Sequence, residues 1–460
     1  MKTIFLFASH HSHISDMLYT EYINYLASMF RVIVFLPKRE GRASLAENEY
    51  PRLKNVEYFE IALGQPKWWR RFALFRSGMV REFDGFFPRG TTVVRSEVVK
   101  IEKDTRSFIL RKIASFIPRR FLTNNLFTWL ESFIVRDAKF FKEAVSKYKP
   151  SLVVLATPGL TFFEAWAIHL ANKHKIPTCS MNATWDNLNS NFRYVRRTDF
   201  MILWNDIMRE EATKYYHYDP RKVFVSGILR FDHYFRTEKG EKTREEFLGG
   251  KGLDPNLKTI LIATIVPGHY SRQDELIRDA IEIREKSKEK FNILVRVHPI
   301  DNYLKYSEFA PEKIKNFHME RAGTLIKEDT GIGQKIQMDK EDLLNVKYTL
   351  KYSDILVTPG STISLEAMIF DKPVINPAMD PDHPEFLYLY HYRPIVLAES
   401  LRAPTTKEEF SYWIKTYLEK PETDRKNREK IVNRYVPFRD GLAYKRSVDF
   451  VKEIVDSLDK

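Results

Sequence analysis

The chain has 460 residues, 43% of them hydrophobic, and a formal net charge of +13. This length exceeds one ordinary hydrophobic core and predicts two domains of roughly 200 residues each. The one cysteine, Cys179, excludes a disulfide framework and a multi-cysteine zinc site and fits a reducing compartment. No segment approaches the roughly 18 apolar residues of a membrane-spanning helix, so we expect a cytoplasmic protein, either soluble or peripheral on the inner face of the cytoplasmic membrane.

The first half of the sequence alternates apolar runs with helical stretches. Strands are predicted at residues 3–8, 32–36, 56–61, 152–156, 177–181, 200–204 and 223–226, and helices at residues 15–29 and 161–173. Apolar strands that are separated by helices indicate a parallel sheet covered on both faces.

Residues 64–135 interrupt this alternation as a basic and aromatic insertion. Residues 64–133 hold 14 Lys or Arg and 6 Asp or Glu, a net charge of +8. An amphipathic helix over residues 106–117 would either lie on an anionic inner-membrane surface, with aromatic side chains among the headgroups, or pack on the domain. Trp68 and Trp69 are open to the same two interpretations. The insertion matches no known nucleic-acid-binding module, so we expect no nucleic-acid partner.

The same pattern restarts in the second half. Strands are predicted at residues 259–264, 291–297, 355–358 and 374–376, and helices at residues 273–288, 343–352 and 363–370. Two Rossmann-like, doubly wound α/β domains in series predict a cleft between them, with ligands at the carboxyl ends of the strands. We place the domains at residues 1–235 and 236–405, followed by helices over 406–460, the last of which we expect to pack back on the first domain.

A strand, a glycine turn and a helix follow one another in the second domain. The start of a helix presents unpaired backbone N–H groups and a partial positive charge, which attract phosphate. Gly360 makes the turn, and Ser361, Thr362 and Ser364 add hydroxyl donors. Glu366 lies one turn into the helix, where its carboxylate can accept a ribose diol and where we expect little core role. Phosphate and ribose together indicate a nucleotide, and the alternative is an ordinary capped turn.

A second predicted strand ends in Arg296-Val297-His298-Pro299. Pro299 favours an extended backbone at His298, which projects the imidazole from the tip of the strand toward a donor phosphate. Arg296 lies two residues earlier, on the same side of the strand. The sequence therefore predicts that both side chains contact the same ligand as the glycine turn.

These motifs carry a family resemblance. Bacterial nucleotide-sugar glycosyltransferases of the GT-B fold have segments similar to residues 296–299, 358–367 and 371–375. Their envelope-polysaccharide branch, near the CDP-glycerol glycerophosphotransferases, the Kdo transferases and the UDP-N-acetylglucosamine 2-epimerases, is also similar to residues 182–188, 203–205 and 225–232. The resemblance covers about residues 150–381.

The resemblance implies a GT-B enzyme whose second domain binds a nucleotide-activated sugar and whose first domain binds a glycan or lipid-linked acceptor. It assigns His298 to the donor phosphate or sugar, Ser361 and Thr362 to the phosphate, and Glu366 to the ribose. It implies catalysis without a metal or a cofactor, and the donor is of the CMP, CDP or UDP type. The alternatives are a CDP-glycerol-type glycerophosphotransferase and a nucleotide- or carbohydrate-binding protein without turnover.

The loop after the first strand of the second domain holds Gly268 and His269. In a transferase with two such sheets, this loop lies against the donor pyrophosphate. The resemblance therefore adds both residues to the candidates for donor binding.

Transfer to an acceptor hydroxyl requires a base, and histidine is the natural candidate near neutral pH. His10, His11 and His13 follow the first strand, and we expect one of them to be the base, with Asp16 as its orienting partner. The alternatives for these histidines are a polar loop that caps the next helix and an adventitious metal site. Asp186, after a later strand, is the rival base, with an Asx turn as its alternative.

Overall fold

A computed structural model describes most of the chain. The described residues are 1–9, 11–38, 50–63, 69, 124–135, 138–182, 184–186, 188, 196–237, 240–309, 314–327, 335–338, 340–381 and 391–459. The chain forms two compact units, one of Met1–Asp232 with Phe438–Lys460 and the other of His233–Pro437. In the described part of the chain, no helix combines the length and the hydrophobicity needed to cross a bilayer.

The elements follow each other in an α/β alternation. The strands are β1 (Thr3–Phe7), β2 (Arg31–Pro37), β3 (Val56–Ile61), β4 (Pro150–Leu155), β5 (Thr178–Ser180), β6 (Phe200–Leu203), β7 (Val223–Val225), β8 (Thr259–Ala263), β9 (Asn292–Val297), β10 (Phe317–Arg321), β11 (Thr324–Lys327), β12 (Lys335–Gln337), β13 (Ile355–Val357) and β14 (Val374–Ile375). The helices are α1 (His11–Leu18), α2 (Glu21–Met29), α3 (Asn124–Ile134), α4 (Lys139–Tyr148), α5 (Phe162–Lys173), α6 (Asp206–Tyr216), α7 (Arg244–Gly249), α8 (Gln273–Lys286), α9 (Lys340–Tyr352), α10 (Ile363–Ile369), α11 (Arg393–Leu397), α12 (Lys407–Glu419), α13 (Arg425–Tyr435) and α14 (Ala443–Ser457).

The first unit is built on a parallel sheet with strand order β3-β2-β1-β4-β5-β6-β7. Successive side chains of a strand point to opposite faces, and both faces are covered here. Ile4 and Leu6 belong to a core with α2 and α14, whereas Phe5 and Phe7 pack with α4 and α5. Burial on both faces explains why β1 is apolar at every position after Thr3.

The C-terminal helix α14 completes the first unit. Its Val448, Val451 and Ile454 belong to the same core as β1 and α2. The carboxylate of Asp232 accepts hydrogen bonds of 2.9 Å from the backbone N–H groups of Ala443 and Tyr444. A carboxylate at this end of a helix is favoured by the helix dipole and fixes where α14 begins.

The second unit repeats the doubly wound order on a smaller scale. Its five parallel strands run β10-β9-β8-β13-β14, and β11 with β12 forms a separate antiparallel pair. Ile260, Val295 and Val357 pack with Ile277 of α8 and Ile414 of α12. In each sheet the direction of the strand order reverses at the first strand, which is β1 in the first unit and β8 in the second. The loops that leave β1 and β4 therefore diverge, as do those that leave β8 and β13. In folds of this kind, ligands bind at such a switch point.

The predicted fold class is confirmed, since the described chain contains two parallel, doubly wound sheets. The helix predicted over residues 15–29 is two helices, because Thr20 accepts the N–H of Tyr22 and caps α2. The sequence patterns missed α3, α4, α7 and the strands β10 to β12. The helix predicted over residues 106–117 lies outside the described residues.

Candidate functional site

His13 lies in the first turn of α1, just beyond the carboxyl end of β1. Its ring is 9% exposed. Its Nδ1 atom lies 3.3 Å from Oε1 of Glu164 and 3.5 Å from Oγ of Ser9. His10 lies outside the described residues, and for His11 the structure describes only its place in α1. His13 is therefore the candidate base whose surroundings are defined.

Glu164 is the functional residue that the sequence interpretation missed. It lies in the first turn of α5 and is fully buried. Thr161 caps this helix by accepting the N–H of Glu164, a spacing typical of a capping box. The Glu164 side chain instead points into the unit, where it accepts the hydroxyl of Thr157 and faces His13. A single carboxylate in a helix that is otherwise almost wholly apolar was the available signal.

Asp16, the expected partner of the base, contacts an arginine. The partner of His13 is Glu164, whereas Asp16 lies 3.5 Å from Nε of Arg230. Burial raises the pKa of Asp16, and the charges of Arg230 and His13 oppose that rise. The pairing of Asp16 with one of the three histidines stays a prediction, and Glu164 is the carboxylate that contacts His13.

Asp186 lies in a turn beyond the carboxyl end of β5. Its carboxylate accepts the hydroxyl of Thr184. This contact joins two side chains, whereas an Asx turn is defined by a carboxylate that accepts a backbone N–H two residues later. The role of Asp186 as a rival base stays a prediction.

In the second unit, three neighbouring strands end at one edge of the sheet. β8 lies between β9 and β13 and continues into Thr264, β9 continues into His298, and β13 continues into Gly360. The carboxyl ends of parallel strands share one edge, so the loops that carry these residues start side by side. This edge contains most of the residues predicted to bind the donor.

His298 is held at this edge by its backbone and its ring. Its N–H donates to Oγ1 of Thr264 over 2.8 Å, and its Nδ1 accepts the N–H of Ile300 over 3.2 Å. Burial, followed by the charge of His269, lowers the pKa of His298 to about 4. The neutral ring therefore carries its proton on Nε2, which makes that atom a hydrogen-bond donor.

The glycine turn before α10 has the predicted conformation but not all the predicted contacts. Gly360 has φ of 75°, a region that favours glycine, and Ser361 and Thr362 are partly exposed. Ser364 is fully buried and accepts the hydroxyl of Tyr392 over 2.7 Å. The prediction that Ser364 binds phosphate is therefore wrong, because its side chain faces the core of the unit.

Glu366 is more buried than expected, with 8% of the residue exposed. Its carboxylate accepts the hydroxyl of Tyr234. The expectation of little core role is wrong, because the first turn of α10 faces the residues that open the second unit. Its assignment to the ribose stays a prediction.

Arg296 points toward the neighbouring strand. Its Nη1 donates to Glu320 over 2.7 Å and its Nη2 to Asp342 over 2.6 Å, and the residue is 6% exposed. Glu320 is its direct partner in the register of β10 and β9. The prediction that Arg296 contacts the donor is therefore wrong, since two carboxylates already hold its guanidinium.

The loop after β8 carries Gly268 and His269. The N–H of His269 donates to the carbonyl of Val266 over 2.9 Å and closes a turn, and Gly268 is exposed. Gln273 of α8 fixes the base of this loop, because its side-chain amide bonds both the N–H and the carbonyl of Ile265, over 2.5 Å and 3.0 Å. The contact of this loop with pyrophosphate stays a prediction.

Within the described ranges, no group of three or more His, Cys, Asp or Glu side chains is arranged to hold a metal ion. The polar groups that define the two edges are those described above.

Known proteins share this architecture. The family model of CDP-glycerol:poly(glycerophosphate) glycerophosphotransferases matches residues 110–453. No curated protein sequence matches the chain. UDP-GlcNAc 2-epimerase from Neisseria meningitidis, solved with UDP-GlcNAc, is 13% identical with a TM-score of 0.54, over 98% of this chain and 100% of that one. The wall teichoic acid polymerase TagF is 13% identical with a TM-score of 0.53, over 100% of this chain and 90% of that one.

At this level of identity, the structural likeness shows the fold alone, and that fold is GT-B. The family match is broader than the sequence motifs, since it includes α3 and extends into α14. The resemblance to transferases of envelope-polymer synthesis is thereby confirmed. The chain belongs to the CDP-glycerol:poly(glycerophosphate) glycerophosphotransferase family and is an enzyme, a transferase of the glycosyltransferase-like GT-B type.

Proposed function

We propose that the protein transfers a polyol phosphate from a CDP-activated donor to a hydroxyl of a growing envelope polymer or lipid-linked acceptor. Family membership supports the class of donor. The observation that carries the chemistry is the contact between His13 and Glu164. A base with a fixed partner is what transfer to a hydroxyl requires.

We assign the base to the first unit. A carboxylate beside Nδ1 favours the tautomer with a proton on that atom, so Nε2 carries the basic lone pair. In the proposed step, Nε2 of His13 takes the proton of the acceptor hydroxyl as its oxygen attacks. Glu164 then stabilises the imidazolium that forms, because an opposite charge nearby favours the protonated ring. Ser9 and Thr157 help to fix this pair.

We assign the donor to the second unit. The acceptor oxygen forms a bond to the β-phosphorus, and the bond from that phosphorus to the bridging oxygen breaks. CMP leaves with the electron pair. The Nε2–H of His298 is suited to donate to phosphate oxygens, and a neutral donor in a half-buried position stabilises charge that grows there. Ser361 and Thr362 are further candidates at the same edge.

A nucleotide-sugar donor is the second candidate, favoured by the glycosyltransferase-like motifs at residues 296–299 and 358–367. Such a transfer breaks the bond between the sugar carbon and the phosphate oxygen. A UDP- or GDP-sugar then releases UDP or GDP, whereas CDP-glycerol releases CMP. The nucleotide product therefore distinguishes these two reactions, and for CMP-Kdo, which releases CMP on glycosyl transfer, the identity of the consumed donor does so.

The experiment is a donor panel of CDP-glycerol, CDP-ribitol, UDP-sugars, GDP-sugars and CMP-Kdo, with the released nucleotide identified by chromatography. We expect CMP from a CDP-polyol. Release of a nucleoside diphosphate from a nucleotide sugar would replace the first proposal with the second. Absence of turnover with every donor, despite binding, would favour a nucleotide-binding protein. His13→Gln should abolish turnover, and His217→Asn, at an exposed position in the same unit, is the control.

We also propose that α3 contacts an anionic membrane surface, where lipid-linked acceptors are found. Trp129 is 57% exposed and Phe133 is 69% exposed, and their rings pack edge to face with centroids 4.7 Å apart. The net charge of +8 over residues 64–133 supports attraction to anionic lipids. Trp69 does not share this role, because it is 6% exposed and its indole N–H donates to Glu131 over 2.8 Å.

A further inference from the structure

The side-chain amide of Asn182 has an unusual environment for a buried polar group. It follows β5 at the carboxyl edge of the first unit and is 5% exposed. Its side-chain Oδ1 and Nδ2 atoms both lack a hydrogen-bond partner among the described residues. Its backbone carbonyl, in contrast, accepts the indole N–H of Trp204 over 2.7 Å. The backbone is therefore anchored, while the amide of the side chain has no partner in the part of the chain that the structure describes.

Asn182 lines a cavity together with His13. The open space measures about 370 Å³, including solvent at its mouth. It lies where β1, β4, β5, β6 and β7 end, so its walls come from the carboxyl edge of the sheet. Met17, Met181 and Leu229 provide apolar surface, and Asp16 faces Arg230 at its polar side.

The free-energy cost of burying the Asn182 amide without a partner indicates that a ligand binds there. A buried polar group without a partner lowers the stability of a protein, and such groups are uncommon in native proteins. An amide places a carbonyl acceptor next to an N–H donor. Two neighbouring hydroxyl groups satisfy both at once, since each hydroxyl can donate or accept. A phosphate offers acceptors alone and would leave Oδ1 without a partner.

We propose that Asn182 binds a pair of neighbouring hydroxyl groups on the terminal sugar or polyol of the acceptor and so determines acceptor specificity. The carbon skeleton of such a unit suits the methionine and leucine wall, and His13 lines the same cavity. This inference rests on the proposed function, because it identifies the cavity as the acceptor site of that reaction. It adds the chemical class of the group recognised there, a vicinal diol.

Kinetics provide the first test. Asn182→Leu keeps the size of the side chain and removes both polar atoms. We expect the KM for a polyol or glycan acceptor to rise about ten- to a hundred-fold, with the KM for the donor unchanged, because one or two hydrogen bonds are lost. Asn172→Leu, at an exposed position of α5, is the matched control. An unchanged acceptor KM in Asn182→Leu would overturn the proposal while leaving the donor reaction in place.

Stability and direct binding provide tests that do not depend on turnover. If the amide has no partner in the free protein, Asn182→Leu should raise the unfolding temperature, whereas a structural amide would lower it on removal. Saturation-transfer NMR with glycerol and ribitol should give signals that Asn182→Leu loses and that 1,3-propanediol, which lacks neighbouring hydroxyls, does not give. Equal signals from glycerol and 1,3-propanediol would mean that the cavity does not recognise neighbouring hydroxyl groups and would overturn the proposal. Signals that depend on Asn182, without turnover of any donor, would refute the proposed reaction but not the diol site.

Discussion

Nδ1 of His13 lies 3.3 Å from Oε1 of Glu164, a carboxylate that is fully buried in the first turn of α5. The two residues come from helices that follow β1 and β4, which are neighbours in the sheet. Removing a charge partner that holds a base in one tautomer lowers the rate without removing the base itself. The contact therefore defines a test of how the proposed base works.

Glu164→Gln should lower kcat by about 10- to 100-fold, less than the 10²- to 10⁴-fold typical of losing a general base. Donor affinity should not change, because the donor is assigned to the second unit. Asp16→Asn is the comparison, since Asp16 was the expected partner, and it should affect kcat less than Glu164→Gln does. Steady-state kinetics of the purified variants check this. A larger loss in Asp16→Asn would favour the His–Asp interpretation.

The lowered pKa of His298 predicts a pH dependence of stability. As pH falls from about 6.5 toward 4, the unfolded chain takes up a proton at His298 and the folded protein does not. The free energy of unfolding should therefore fall over this range, by up to roughly 3 kcal/mol, and this contribution should be constant above pH 7. Urea unfolding between pH 4 and 8 measures it. His298→Asn should flatten the profile, and His217→Asn should not.

The neutral state of His298 also bears on ligand binding. Donor affinity, measured by calorimetry, should not follow a titration near pH 6.5 if the ring donates from Nε2 as a neutral group. A step of affinity at that pH which disappears in His298→Asn would contradict the assignment.

Tyr392 should position the glycine turn without contacting the donor. Its hydroxyl accepts from Nδ2 of Asn376 and donates to Oγ of Ser364, each over 2.7 Å, and all three residues are buried. Tyr392→Phe leaves both partners unsatisfied and should lower the free energy of unfolding by about 1–3 kcal/mol. The KM for the donor should rise with it, since Ser361 and Thr362 lie on the same turn.

The control for Tyr392→Phe is Tyr412→Phe, which removes a hydroxyl from a residue of the same unit that is 60% exposed. In this control, the unfolding temperature and the KM for the donor should equal those of the wild-type protein. A loss of stability in Tyr392→Phe with a wild-type donor KM would mean that the hydroxyl serves the core alone.

Membrane contact through α3 should depend on both its exposed rings and salt. Trp129→Ser with Phe133→Ser should lower sedimentation with anionic vesicles and leave nucleotide binding unchanged. Raising the salt concentration should release the wild-type protein, because charges separated by more than about 8 Å are screened at physiological ionic strength. Neutral vesicles and the Tyr412→Ser variant are controls. If vesicle binding depends on neither the lipid charge, the salt concentration nor these two rings, α3 has another role.

Local patterns in the sequence determined much of the fold. Apolar runs such as residues 4–7 of β1 predict strands because a parallel strand covered on both faces is apolar at nearly every position. Gly360 permits the conformation of its own backbone, and Pro299 restricts the backbone of His298 before it. The glycine turn and the strand that ends at His298 could therefore be located from the local sequence alone.

Tertiary structure decided which polar groups meet. Arg296 pairs with Glu320 because β10 lies beside β9, and Ser364 faces Tyr392, which comes from a segment beyond β14. His13 meets Glu164 because β4 lies beside β1. Hydrophobic periodicity says which face of an element is buried, but it does not say which element covers that face. The partner of a buried charge depends on the order of strands in the sheet, which contacts far apart in the sequence determine.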